Sequence, residues 1–191
     1  MAERQSTGRS AFAAIVLAVI GQAAAQIADS ADLPAAPEVG VMAPAFRLQD
    51  QAGAWHSSSD YRGRWLVLYF YPKDDTPGCT TQACEFRDNL FAFDKLGAAV
   101  VGVSVDDVAS HKLFAEEHSL PFTLLADSTK ETAKAYGVLR SVLGLMEIAS
   151  RATFIIDPEG RIAKHYRGVD PKGHSQAVLK DLRALQQVKK S

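Results

Sequence analysis

Cys79 and Cys84 are the two thiols of this 191-residue chain, and both lie in the stretch Tyr69 to Asp88, YFYPKDDTPGCTTQACEFRD. Cys79 follows an apolar run and a turn holding Pro77 and Gly78, at the point where a helix should begin. Thr80 onward is compatible with that helix, whereas Pro77 and Gly78 fit poorly inside one. A helix start presents unpaired N–H groups and the positive end of the helix dipole. That environment favours the thiolate, the nucleophilic form of cysteine. Thr76 stands three residues earlier on the same turn, where its hydroxyl can donate to the sulfur or to a bound oxygen. Pro72 ends the apolar run and brings no N–H to compete. Asp74 and Asp75 read as solvated turn residues, because a carboxylate beside the sulfur would disfavour the thiolate.

The spacing of the two thiols constrains what they can do together. Residues i and i+5 of an α-helix face apart by roughly 140° and are separated by about 7.5 Å along the axis. A disulfide wants Cα atoms within about 4.4–6.8 Å. The pair therefore cannot bond while an intact helix carries both. A disulfide, a redox pair and coincidence all remain open at this point. A purely structural disulfide is weakened by its short loop, which constrains the unfolded chain little.

The elements that must hold these residues can be read from the apolar pattern. Trp65 to Tyr71, Ala98 to Val105, Phe122 to Leu125 and Ala152 to Ile156 are short apolar runs of the kind that form strands buried on both faces. Asp157-Pro158-Glu159-Gly160 is a turn, and Arg161 to Tyr166 returns from it as an antiparallel partner. Helical patterns lie at Thr80 to Leu96, Val108 to His118, Thr129 to Tyr136 and Gly173 to Val188. Strands alternating with helices, then a hairpin, then a helix imply an α/β fold: a mixed central sheet with helices on both faces, as in the thioredoxin-like fold. Trp65 and Met146 read as packing residues.

Composition narrows the functional classes. The formal net charge is −1, and the lysines and arginines are scattered, which argues against nucleic acid as a partner. Two cysteines cannot supply a four-thiolate zinc site. His56, His111, His118, His165 and His174 are dispersed, so no metal and no cofactor is expected. The N-terminus carries Arg4 and Arg9, then the apolar run Ala11 to Ile20, then Ala23-Ala24-Ala25. This is the layout of an export signal over residues 1–25, cleaved after Ala25. Residues 26–38 read as a flexible lead-in and 39–191 as one folded domain. The expected location is outside the cytoplasm, in a bacterial periplasm, with no stable membrane span once the signal is removed. The alternative is a chain anchored by an uncleaved signal.

Pro72, Thr76 and Cys79 spell P-x-x-x-T-x-x-C, the active-site pattern of the peroxiredoxins. The longer string with Cys84 five residues on, together with GVMAPAFRLQDQAG and RATFIIDPEG, resembles the Q-type, or bacterioferritin-comigratory, subfamily. The resemblance runs from about Val39 to the C-terminal helix. It implies a thiol peroxidase acting on hydrogen peroxide and organic hydroperoxides, with Cys79 as the peroxidatic and Cys84 as the resolving cysteine. An intramolecular disulfide would form between them and be recycled by a thioredoxin-like dithiol donor. The resemblance also implies that Thr76 orients sulfur and peroxide, that Pro72 shields the site, and that Arg151 stabilises the thiolate. Sequence pattern alone does not single out Arg151. A monomer is implied as well. Residues 139–150, LRSVLGLMEIAS, depart from the subfamily by being more apolar than expected there.

Two other classes use the same sulfurs. An exported thiol–disulfide oxidoreductase without peroxidase activity would be expected to carry C-x-x-C, whereas four residues separate Cys79 and Cys84 here. A copper carrier would need a third soft ligand.

Overall fold

The computed structural model describes residues 35–190. The expected export signal and the first part of the lead-in lie outside the described residues. In chain order the elements are β1 (Arg47–Asp50), β2 (Trp55–Ser57), a 3₁₀ turn (Ser58–Tyr61), β3 (Trp65–Phe70), α1 (Pro77–Asp88), α2 (Leu90–Lys95) and β4 (Ala98–Ser104). There follow α3 (Val108–Glu117), β5 (Thr123–Ala126), α4 (Glu131–Ala135), β6 (Leu139–Val142), β7 (Met146–Ala149), β8 (Ala152–Ile156), β9 (Ile162–Arg167) and α5 (His174–Lys190).

All six residues of β3 are buried. Alternate side chains of a strand point to opposite faces, and here they feed two separate apolar clusters. Trp65, Val67 and Tyr69 pack with Cys79, Ala83 and Phe86 of α1, Phe93 of α2, Phe114 of α3, and Val178 and Leu182 of α5. Leu66, Leu68 and Phe70 pack on the other face with Tyr61, Ala133 of α4, Tyr136 and Ala149. A sheet with two apolar faces must be covered on both, which makes this a thioredoxin-like α/β architecture.

Seven strands run in the order β2-β1-β5-β4-β3-β8-β9. The central strands β5, β4 and β3 are parallel, and the outer pairings are antiparallel. The register positions the site. Phe70 pairs with Ala152, so Arg151, just before β8, sits at the C-terminal end of β3, where the chain leaves for α1. Glycine at 102 is required by the Tyr69 ring: a Cβ there would lie 2.8 Å from the Tyr69 hydroxyl and 2.8 Å from Leu124.

Three expectations need correction. The helix expected over Thr80 to Leu96 is two helices. Asn89 breaks it, because its side-chain amide donates to the Glu85 carbonyl (3.0 Å) and to Ser175 Oγ (3.1 Å) instead of leaving the backbone ladder undisturbed. The first of the two also begins earlier, at Pro77. Proline is well suited to a first helical position, where its missing N–H would have had no partner. Met146 does not pack in the core. It lies exposed on β7, which pairs with β6 as a separate two-stranded ribbon whose turn exposes Leu143 and Leu145. No helix among the described residues is long and apolar enough to cross a membrane.

The start of α5 is pinned to the sheet by His174, whose Nε2 shares a 2.8 Å hydrogen bond with Thr153 Oγ1 of β8. Burial, helped by the Arg151 cation, pushes the His174 pKa down to about 4. The folded state therefore favours the neutral ring, while the unfolded chain takes up a proton near pH 6.5. This stabilisation is present above pH 6.5 and is lost as pH falls from 6.5 to 4. Its full size is about 3 kcal/mol at 1.36 kcal/mol per pKa unit. Asp74, whose pKa is lowered from 3.8, loses its own contribution only below that window. Denaturant unfolding at pH 7, 5.5 and 4 should show the loss, and His174→Gln should flatten it. An equal slope in the variant would show that other groups carry the effect.

Candidate active site

Cys79 is the third residue of α1, behind Thr76 at the N-cap and Pro77 at the first helical position. The helix's own ladder starts with the Thr80 N–H donating to the Thr76 carbonyl at 2.9 Å. The amides of Gly78 and Cys79 therefore lie outside it, at the positive end of the helix dipole. The Cys79 side chain is buried and Cys84 is half-buried, and both are free thiols on the same helix. Their five-residue separation within one intact helix keeps them from bonding in this state.

The Arg151 guanidinium reaches the sulfur across 72 residues of sequence. Its Nη2 donates to Cys79 Sγ at 3.4 Å, and its Nη1 donates to Gln82 Oε1 at 2.6 Å. A Cβ on Gly78 would come within 3.1 Å of Nη2, so a side chain there would crowd the guanidinium. Gln82 is fully buried and its Nε2 has no partner among the described residues. Sequence reasoning missed Gln82. The signal was there, since residue i+3 stands on the same helix face as Cys79.

The remaining sequence-derived residues are placed as follows. Thr76 is half-buried at the N-cap of α1, and its hydroxyl donates to the Lys73 carbonyl at 3.0 Å. Its oxygen keeps lone pairs free, and rotation would free the proton. Pro72 is half-buried two residues beyond the end of β3. The structure thus brings Arg151 into direct contact with both Cys79 and Gln82, with Thr76 and Pro72 on the loop that leads into α1.

Asp74 overturns its reading as a solvated turn residue. It is buried and accepts hydrogen bonds from Tyr71 Oη (2.7 Å), Ser110 Oγ (2.7 Å) and His111 Nδ1 (2.8 Å). Burial opposes its charge, but the bonds from His111, Ser110 and Tyr71 outweigh burial and hold its carboxyl below the usual range. Its backbone N–H donates to Asp106 Oδ2 at 2.9 Å. These partners lie more than 30 residues away or in the strand end, so no local pattern reveals them. Asp75 is exposed, with φ of 55°, and its carboxylate meets His118 Nε2 at 3.3 Å. Glu117 lies beside this pair, forming an exposed cluster that carries no further sign of a metal.

Burial holds the phenols of Tyr69 and Tyr71 well above their ordinary pKa, so both stay neutral next to the site. Arginine remains charged at any relevant pH. The arrangement is a sulfur nucleophile at a helix start, in contact with one fixed guanidinium.

Residues 39–165 match the model of the AhpC/TSA family. Peroxiredoxin Bcp of Bacillus subtilis is 44% identical over 151 residues, covering 78% of this chain and 96% of that protein. The chloroplastic peroxiredoxin Q of Populus jackii is 44% identical over 147 residues, 76% of this chain and 68% of that one. Among solved structures, a cysteine-to-serine variant of PrxQ from Xylella fastidiosa is similar at a TM-score of 0.75 and 35% identity, covering 79% of this chain and 98% of its own. The bacterioferritin comigratory protein of Xanthomonas campestris, studied for alkyl peroxide reduction, is similar at a TM-score of 0.72 and 35% identity, covering 77% of this chain and 98% of that one. With the family pattern running over residues 39–165 and these relatives alongside it, the chain belongs to the AhpC/TSA family, in its peroxiredoxin Q group.

Proposed function

We propose that the chain is a thiol peroxidase in which the Cys79 sulfur attacks a hydroperoxide, Cys84 resolves the product, and a dithiol of the thioredoxin type restores both. The observation that carries this reading is the Arg151 guanidinium, 3.4 Å from Cys79 Sγ and held from behind by Gln82. In the first step the thiolate displaces an alkoxide or hydroxide from ROOH. The S–O bond forms as the O–O bond breaks, leaving Cys79–SOH and, after protonation, ROH. Negative charge grows on the departing oxygen. A guanidinium fixed at that place stabilises it more than it stabilises the ground state. Thr76 would donate to the same oxygens once its hydroxyl leaves Lys73. Pro72 offers them no competing N–H.

In the second step the Cys84 thiol attacks the sulfenic acid, giving the Cys79–Cys84 disulfide and water. The reach argument requires the first turns of α1 to unwind for this. A second ROOH arriving first would instead give the sulfinic acid. The donor dithiol then reduces the disulfide by exchange through a mixed disulfide and is itself oxidised. Both sulfurs lie on one chain, so the cycle needs no partner subunit. Substrates are hydrogen peroxide and organic hydroperoxides. A thiol–disulfide oxidoreductase without peroxidase activity is not favoured, because the relatives are peroxiredoxins and the cysteine spacing differs from C-x-x-C. The N-terminal pattern supports export to a periplasm, where the donor would also have to be exported.

Four outcomes are expected. Cys79→Ser should abolish peroxide consumption, and activity surviving it would defeat the assignment. Cys84→Ser should consume about one equivalent of peroxide and then stall with a dithiol donor. Arg151→Met should slow the first step by about 10²–10³-fold, read as stopped-flow oxidation of Cys79; a change under threefold would remove Arg151 from the mechanism. After fractionation, N-terminal sequencing should find a mature chain beginning at Gln26, and a membrane-bound chain retaining Met1 would replace the cleaved signal with an anchor.

A further inference from the structure

We propose that Asp74 on one side, and Glu85 with Arg87 on the other, are positioning residues that bound the part of α1 able to come loose. Cys79 is then delivered to a Cys84 that stands at the edge of a fixed turn. The proposal rests on the disulfide step above and adds where the unwinding must stop.

The segment between these residues is weakly attached. Thr76 bonds to Lys73 and Thr81 to the Pro77 carbonyl, so both act within the loop and helix start. Asp75 reaches only the surface contact with His118. Cys79 and Gln82 bond to the body of the fold through a single side chain, Arg151. The apolar side chains this segment buries are small, those of Cys79 and Ala83. Conversion of the Cys79 thiolate to a neutral sulfenic acid would weaken the Arg151 contact, because the guanidinium would then face a dipole and lose its charge–charge attraction to the sulfur.

The flanks are fastened. Before the segment, Asp74 ties the loop to Tyr71, the residue after β3, to α3 through Ser110 and His111, and through its N–H to Asp106. After it, Glu85 Oε1 accepts the Gly173 N–H at 2.7 Å, at the start of α5, where a carboxylate is favoured by the helix dipole. Arg87 Nη1 donates to the His118 carbonyl at 2.7 Å, at the end of α3, and its guanidinium stands beside the Cys84 sulfur. Between these two, Phe86 is fully buried and stacked on Tyr69 with centroids 4.7 Å apart. Holding one reactant still raises its effective concentration for the other. A Cys84 on a loosened turn would lose that advantage, and the sulfenic acid would more often meet a second peroxide.

Hydrogen exchange of the reduced wild-type protein provides the direct test. Amides 80–84 should exchange as one block at least ten times faster than amides 86–90. Exchange of all of α1 as a single unit would overturn the proposal. In Glu85→Ala and Arg87→Leu the fast block should extend to Asp88. At a fixed peroxide dose the sulfinate-to-disulfide ratio by mass should rise at least threefold, with the first oxidation of Cys79 unchanged within twofold. An unchanged ratio, or a first step slowed as much as the ratio rises, also counts against it, the latter because it marks general loss of structure. If the wild type formed no Cys79–Cys84 disulfide at all, the exchange boundary would still be measurable. That failure would fall on the disulfide step alone.

Discussion

The contact between the Arg151 guanidinium and the Cys79 sulfur is the constraint around which the rest of the site is arranged. It joins two elements far apart in sequence, so everything that fixes their relative position enters into it. The antiparallel register of β3 and β8 puts Arg151 at the end of β3. Proline at 77 allows α1 to start two residues before the sulfur, and glycine at 78 leaves the guanidinium room to approach. Gln82, one turn further along the same helix, takes the second guanidinium nitrogen. The planar fork of arginine can hold both acceptors at once, which the point charge of a lysine could not do in the same geometry.

The same contact exposes a conflict built into the chemistry. Attack on peroxide needs a rigid site, since preorganised charge is what lowers the barrier. Disulfide formation needs that site to open, because a helix holds residues five apart on different faces. The distribution of packing along α1 suits both demands. Near the sulfur the buried apolar groups are small, whereas two residues past Cys84 the helix is held by Phe86 within a cluster of aromatic rings that includes Tyr69, Phe93 and His174. Burial of an aromatic ring contributes far more than burial of a methyl group. The start of the helix is thus cheap to undock and its end is not.

Much of this could be read in the sequence, for physical reasons that differ by element. The central strands were legible because burial on both faces writes a continuous apolar run, as in WLVLYF and ATFII. The short strands β1 and β2 were not, since four- and three-residue strands with half-exposed side chains carry little pattern. Asn89 sits in a stretch whose apolar spacing continues across it, and only its side-chain bond to Ser175, contributed by α5, reveals the break. Asp74 was misread because Lys-Asp-Asp-Thr-Pro-Gly has the composition of an exposed turn, while the groups that bury it come from α3. Cys79 announced itself through its place after a strand and a turn. Arg151 did not, because an arginine before a strand is ordinary until the fold sets it against a sulfur.

The charge balance around that sulfur follows from which groups are kept neutral. Among the described residues Arg151 has no carboxylate partner. Its bonds go to an amide oxygen and to a thiol. A carboxylate at position 82 would share the guanidinium charge, whereas the neutral amide positions it without neutralising it. Burial keeps Tyr69 and Tyr71 from ionising, and burial together with the Arg151 cation keeps His174 from taking a proton. Asp74, the buried anion nearby in sequence, is engaged by His111, Ser110 and Tyr71. One full positive charge is thereby left facing the sulfur, in surroundings of low polarity where its field is strong. The growing charge on a departing oxygen would meet that same guanidinium, so a single side chain serves the thiolate before the reaction and the leaving group during it.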